Sequence, residues 1–214
     1  MDDFQSSFSS RNMEEGHELS PLALNQGLFG IVAAGALKVF RYVKDDQFAI
    51  LDILVEGDFF HYGFPDAPGV RMFVYPDQIQ AMTTSCLLYM DSTKLQELLR
   101  RDADLSSTYL DSMTGKLNQL HERFIHLGSY AADHKLAYLL EFLHSKGPGK
   151  ADYPDLIPFN ITRKDLASLA GLTLETASRI LASFERSGLI RSGRGWVEIL
   201  DYPGLSKLCR TEEL

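Results

Sequence analysis

The sequence predicts an α+β chain in which an N-terminal antiparallel β-roll is followed by a long helix and a C-terminal winged helix-turn-helix. Three observations carry that order. Between Leu28 and Asp91, β-branched and aromatic runs alternate with turn residues. From Leu110 to Leu127, apolar residues recur at steps of three and four. From Thr162 to Ile199, two capped helical segments joined at Gly171 lead into two short apolar runs around a glycine turn.

The roll comes first. GLFGIVAAG, ALKVFRYV and FAILDILV, with turns at KDDQ and EGD, have the texture of half-buried strands. Val39, Arg41 and Val43 alternate with Phe40, Tyr42 and Lys44, the period of two that sends successive side chains to opposite faces. VRMFVYP, DQIQAMTT and SCLLYMD continue the pattern, and strands this short at this spacing predict an antiparallel roll or barrel.

At Asp91 the texture changes, because DSTKLQELLRRDADL brings helix formers after a run of capping residues. Leu110, Met113, Leu117, Leu120, Phe124 and Leu127 then share one helical stripe, flanked by Asp111, Lys116, Asn118, Gln119, Glu122 and Arg123. A stripe so narrow suits the seam of a two-stranded coiled coil, so these six residues are expected to join two copies of the chain. Gly128 and Ser129 interrupt the helix, a candidate hinge, before HKLAYLLEFLHS starts a new stripe of Leu136, Leu139, Leu140 and Leu143. The expected domains are an antiparallel roll over 1–102, a dimerisation helix over 103–129 and a winged helix-turn-helix over 130–214.

After the loop KGPGKADYPDLIPF, Thr162 is expected to cap a helix, with Asp165 completing something close to a capping box. Leu166, Ala167, Leu169 and Ala170 point inward and Gly171 ends the segment. Thr173 caps the second helix, TLETASRILASFERS, which stops at Gly188. Leu189 to Arg191, the turn Ser192 to Gly195 and then Trp196 to Ile199 read as a two-stranded wing.

In such a unit the second helix enters the DNA major groove, so its exposed N-terminal half should carry groups that read base edges. Glu175, Ser178 and Arg179 fall on one face, with Leu174 and Thr176 beside them, while Ala177, Ile180, Leu181 and Phe184 supply the opposite, buried face. Arginine donates two hydrogen bonds to guanine O6 and N7, and glutamate accepts one from cytosine N4, so Arg179 and Glu175 can read one G·C pair. Thr162, Arg163 and Thr173 stand at helix N-termini, where backbone N–H groups and hydroxyls bind phosphates. The bland alternative is a solvated helix whose Glu and Arg stabilise one another. Two caps, a glycine turn and a wing around the same face favour the DNA reading.

Composition agrees. The 214 residues are 45% hydrophobic and 23% charged, proportions of a globular chain able to bury a core without disulfides. Cys86 and Cys209 lie far apart, which suits a reducing cytoplasm. No run approaches the roughly 18 apolar residues of a membrane span, and MDDFQSSFSS lacks the basic-then-apolar order of a signal peptide. The net charge of −8 argues against coating nucleic acid by bulk charge. Residues 160–200 nevertheless hold six Lys or Arg against four Asp or Glu, a local +2 that leaves −10 on the rest. GxGxxG, P-loop, HExxH and GxSxG patterns are missing and the carboxylates are scattered, so an enzyme is not expected.

ITRKDLASLAGLTLETASRILASFERSGLI resembles the DNA-binding signature of the CRP/FNR family, the bacterial cyclic-AMP receptor and fumarate-nitrate reduction regulators, through nearly its whole length. Upstream the likeness is weaker but collinear: a dimerisation helix, then GLFGIVAAGALKVF and EGDFF, similar to the strands and Gly-Asp turns of the family's cyclic-nucleotide-binding-like jelly roll. The resemblance implies a homodimeric transcription regulator of double-stranded DNA, with RNA polymerase as a further partner. Leu174, Glu175, Ser178 and Arg179 are similar to the fumarate-nitrate branch, whereas the cyclic-AMP branch has arginine where Leu174 stands. Leucine can touch a thymine methyl and cannot bond guanine, so a TTGAT-like half-site is implied.

The sensory half departs from the family. A cyclic-nucleotide cassette needs a carboxylate for the ribose and an arginine for the phosphate just after the Gly-Asp turn. After Gly57 and Asp58, Tyr62 stands near the place of the glutamate and Arg71 is the lone arginine, so cyclic AMP is not the expected effector. An iron-sulfur cluster wants about four thiolates and the chain has two. A haem-dependent gas sensor is an alternative, with His61 beside Phe59, Phe60, Tyr62 and Phe64 as axial candidate, although an ordinary loop histidine fits the same position. His121 and His126, five apart, face different ways and make no metal pair. A winged helix that binds a partner protein instead of DNA is the remaining alternative.

Overall fold

In the computed structural model, residues 7–19, 27–44, 47–62, 77–147, 155–157 and 159–209 are described. The chain divides into two units, residues 1–118 and 119–214. VRMFVYP, with Arg71, and part of the KDDQ turn lie outside the described residues.

The first unit is the expected antiparallel roll. Its strands are β1 (Ser9–Met13), β2 (Glu18–Leu19), β3 (Leu28–Ala34), β4 (Ala36–Lys44), β5 (Gln47–Val55), β6 (Phe59–Tyr62), β7 (Gln78–Ala81) and β8 (Ser85–Asp91). They form two four-stranded sheets, ordered β1-β8-β3-β6 and β2-β7-β4-β5. Met13, Val32, Leu87 and Phe60 from one sheet meet Leu37, Val39, Leu54 and Ile79 from the other in a shared core. Gly30 in β3 lets the Phe60 ring lie against the backbone, where any Cβ would collide with it.

The alternation expected along β4 holds through Tyr42. Val39 enters the shared core and Arg41 reaches the buried Asp77, while Phe40, also buried, lies on the opposite face with Tyr42 and Phe48, 5.3 and 5.6 Å between ring centroids. The β4–β5 register shifts where Val39 pairs with Asp52 and Phe40 with Ile50, so the extra residue, Leu51, is a bulge on β5. Beyond it Tyr42 and Val43 are both exposed.

Helix α1 (Ser92–Arg101) follows β8 directly, with the Asp91 carboxylate accepting from the Thr93 N–H at its start and Arg100 and Arg101 at its C-terminal end. Its Leu95 packs with Phe29 and Met90. Helix α2 (Ala103–Ser129) is 27 residues long and has no buried residue. Leu110 is 64% and Phe124 79% exposed, with Leu117 and Leu120 also exposed and Met113 and Leu127 half-buried.

The second unit begins within α2 and continues through α3 (Ala132–Ser145), α4 (Arg163–Leu169), α5 (Leu174–Arg186), strands β9 (Ile190–Gly193) and β10 (Trp196–Ile199), and α6 (Tyr202–Cys209). Gly128 and Ser129, expected to interrupt the helix, are instead its last two residues; the break falls just after them, at Tyr130 and Ala131, and Ala131 caps α3 without a side-chain bond. Leu136, Leu139, Leu140 and Leu143 are all fully buried, each worth about 1.5 to 3 kcal/mol relative to exposure. They share the interior with Ile157, Ile161, Leu166, Leu181 and Leu205.

Candidate nucleic-acid interface

Three local devices present α5 to solvent. The first is the start of α4, where the Thr162 hydroxyl oxygen accepts from the Asp165 N–H at 3.1 Å and the Thr162 N–H donates to the Asp165 carboxylate at 3.0 Å. This is a complete capping box. The Thr162 hydroxyl hydrogen goes to the same carboxylate, 2.6 Å away, so this residue offers the exterior its helix N-terminus more than its hydroxyl.

The second device is the turn. Gly171 has φ +63°, the left-handed region that glycine enters without a Cβ penalty, and it reverses the chain between α4 and α5. Thr173 then caps α5, accepting from the Thr176 N–H at 3.2 Å and donating to the Thr176 hydroxyl at 2.9 Å.

The wing is the third. β9 and β10 pair antiparallel from Ile190↔Ile199 to Gly193↔Trp196, and two residues ahead of α4 join them, Ile157 N–H donating to Val197 O and Ile161 N–H to Gly195 O, each at 2.9 Å. Arg191 is held by Glu198, with Nε at 2.8 Å and Nη2 at 2.6 Å. Glu185, near the end of α5, accepts from the Ser192 hydroxyl and lies 3.8 Å from the Arg163 guanidinium. One carboxylate thus faces α4, α5 and the wing together. Neither sequence separation nor periodicity signals that cluster.

On α5 itself Ala177, Leu181 and Phe184 are buried and hold the helix on the core. Ile180, expected among them, is half-buried, because its position turns it toward the edge of the face. Leu174 is 52% exposed, Glu175 and Arg179 are exposed, and Ser178 and Thr176 are half-buried beside them. Among the described residues Arg179 makes no ion pair with Glu175 or any other carboxylate. The mutual stabilisation that would make this an ordinary solvated helix is therefore absent. Arg163 is also exposed, at the N-terminus of α4.

The effector candidates lie in the first unit. Both ring nitrogens of His61 are engaged, Nδ1 with the Tyr109 hydroxyl at 2.7 Å and Nε2 with the Ser92 hydroxyl at 3.0 Å. Phe29 sets its edge against the same ring, 5.9 Å between centroids. A haem ligand needs a free imidazole nitrogen, so His61 does not fit that role in this arrangement. Tyr62 packs on Phe60 and belongs to the roll core. Burial, reinforced by the Asp77 and Asp52 carboxylates, pushes its phenol above the ordinary tyrosine range, so it is neutral and supplies no carboxylate-like acceptor. Asp77 is buried and receives Arg41 through Nε and Nη2, both at 2.7 Å. That ion pair inside the roll was not apparent from the sequence. Among the described residues no cluster of three or more His, Cys, Asp or Glu is arranged to hold a metal, and no helix is long and apolar enough to cross a membrane.

Comparison with known proteins gives a consistent picture. Residues 134–208 match the family model of the Crp-like helix-turn-helix domain. The chain is 26% identical over 174 residues to the nitrogen fixation regulation protein FixK of Bradyrhizobium diazoefficiens, covering 79% of this chain and 69% of that one. It is 24% identical over 177 residues to the fumarate and nitrate reduction regulatory protein of Escherichia coli, covering 83% and 69%. In fold it is similar to FixK2 from Bradyrhizobium japonicum, with a TM-score of 0.76 at 18% identity over 96% of this chain and 99% of that one. A CooA variant from Carboxydothermus hydrogenoformans superposes with a TM-score of 0.73 at 20% identity, covering 97% and 90%.

Proposed function

We propose that the chain is a CRP/FNR-type transcription regulator that binds through its helix-turn-helix domain, as a homodimer, an inverted-repeat operator with TTGAT-like half-sites. The observation that carries this reading is the solvent-facing row Leu174, Glu175 and Arg179 at the start of α5, with an arginine that no carboxylate neutralises among the described residues. Arg179 reads guanine, Glu175 its paired cytosine, and Leu174 packs on a thymine methyl, with Ser178 and Thr176 on the flanking pairs. Arg163 and the N–H groups at the Thr162 and Thr173 caps take phosphates and set the register.

Dimerisation runs through the stripe from Leu110 to Leu127. A 27-residue helix with no buried residue and four exposed large apolar side chains on one stripe supports this, since none of the described residues covers them. The working division is a sensory roll over 1–102, a dimerisation helix over 103–129 and a DNA-binding part over 130–214. The roll responds to an effector other than cyclic AMP, and the protein works in the cytoplasm with RNA polymerase as its further partner.

Fluorescence-anisotropy titration of a labelled duplex carrying the inverted repeat, against a scrambled duplex of equal length, tests the reading. Binding at least a hundredfold tighter to the repeat is expected at fixed salt. Equal affinity for both duplexes would assign the winged helix to a protein partner instead.

A further inference from the structure

Across the break at Tyr130 and Ala131, the last turns of α2 meet α3 through two histidines. Nδ1 of His126 lies 2.9 Å from Nε2 of His134. Their centroids are 5.2 Å apart and their planes within 12°, so the rings lie edge to edge. Tyr138 covers His126 at 4.0 Å and 7°, and Tyr130 covers His134 at 4.1 Å and 23°. Phe142 extends the layer beyond Tyr138 and carries the Arg123 guanidinium 5.2 Å from its centroid. His134 is only 8% exposed. These rings connect the α2 side of the break to the α3 side.

A hydrogen bond between two imidazoles needs one N–H and one lone pair. Both rings neutral satisfy it, and so does one charged ring donating to a neutral one. Two charged rings present N–H to N–H at 2.9 Å, with like charges in contact, and the bond cannot survive. We propose that the His126–His134 pair is a proton-operated latch on the α2–α3 hinge, closed while at most one ring is charged and opened by the second proton, which frees the end of α2 from α3 and weakens DNA binding. The DNA arm of this inference rests on the function proposed above; the latch itself does not.

The surroundings set the direction. Burial first, then His134, holds the His126 imidazole below its ordinary value of 6.5, while Glu122 and Glu141 pull the other way. Glu122 sits 3.9 Å from Nε2 on the same helix but is largely exposed. From α3, the Asp133 carboxylate accepts the His134 backbone N–H, and Tyr138 is held protonated mainly by burial. From α6, Cys209 couples to Glu141 and Tyr138. A group whose folded pKa is depressed binds fewer protons folded than unfolded, so the closed latch is fully stable above about pH 6.5 and loses stability as pH falls below it.

The full chain is titrated from pH 8 to pH 5 by NMR of its histidine rings and by hydrogen exchange over residues 124–138. In parallel the duplex carrying the inverted repeat is titrated at pH 7.5 and 5.5. His134→Gln keeps a donor and an acceptor but takes no proton, and His126→Gln serves if that variant does not fold. Coupled titration of the two rings, loss of protection below pH 6.5 and an acid-induced loss of affinity about fivefold or more beyond that of the glutamine variant are expected. Rings that titrate independently with protection unchanged, or equal pH dependence in wild type and variant, would overturn the latch. Should the wild type bind no duplex at any pH, the DNA-binding reading fails and the latch is decided by the ring titration and exchange alone.

Discussion

The Tyr109 hydroxyl stands 2.7 Å from Nδ1 of His61, so the long helix is fastened to the end of a roll strand by a hydrogen bond between side chains 48 residues apart. Burial pushes the Tyr109 phenol up to about 12, which keeps its proton in place throughout the range in which the protein works. Ser92 holds the other ring nitrogen, and Phe29 packs against both rings. The histidine considered as a cofactor ligand is thus a strut between β6, α1 and α2.

Tyr109→Phe keeps the ring and removes one partner of a part-buried histidine. An unsatisfied group of this kind costs about 1 to 3 kcal/mol. The urea midpoint should fall with an unchanged m-value, and a midpoint equal to wild type would show that the bond contributes nothing.

The exposed stripe of α2 makes a second prediction. Leu117→Glu with Leu120→Glu places two carboxylates where a partner copy would bury apolar side chains worth about 1.5 to 3 kcal/mol each. Neither residue is buried within its own chain, so the fold should persist. Sedimentation should report monomers with unchanged circular dichroism and much weaker operator binding. A double variant that stays dimeric would place the dimer contact elsewhere.

Chemical labelling separates the two cysteines. Cys209 is 8% exposed, and burial, with Glu141 close by, pushes its thiol up to about 12. The thiolate is the reactive species, so Cys209 should resist iodoacetamide at pH 8 until the second unit unfolds. Mass spectrometry of native and urea-treated protein measures this; rapid native labelling of Cys209 would contradict its packing against α3.

What the sequence disclosed and what it hid follow from the range of the interactions. The caps at Asp91, Thr162 and Thr173 and the turn at Gly171 are local, set within four residues, and they stand where the sequence places them. The buried stripe of α3 is equally local, because helical period alone brings Leu136, Leu139, Leu140 and Leu143 together. By contrast, the bulge at Leu51 depends on how β5 pairs with β4, and alternation along one strand carries no information about it. The Arg41–Asp77 and His61–Tyr109 contacts join residues 36 and 48 apart. Helical spacing relates His126 only to His121 on its own helix, whereas its partner His134 lies on the next helix. The exposed face at the start of α5 is legible because it is a single helix turn, while the Glu185 cluster is tertiary.

Recognition itself gives the sharpest test. The proposed twofold dimer would set two copies of α5 about 34 Å apart, one turn of duplex, with the half-sites in successive major grooves. If Arg179 reads guanine as proposed, Arg179→Ala should cost roughly 1 to 3 kcal/mol and relax discrimination at that base alone. Arg163→Ala should instead weaken all sequences alike and flatten the dependence on salt, because a phosphate contact carries no sequence information. Leu174 decides between the two assignments at the outer base. Its side chain is half exposed and outside the core, so Leu174→Arg should leave the fold intact while offering a guanine donor where only a thymine methyl could be touched. Selection from randomised duplexes should then move from TTGAT toward TGTGA. A variant that keeps the original preference would break the residue-to-base assignment while leaving the winged helix in place.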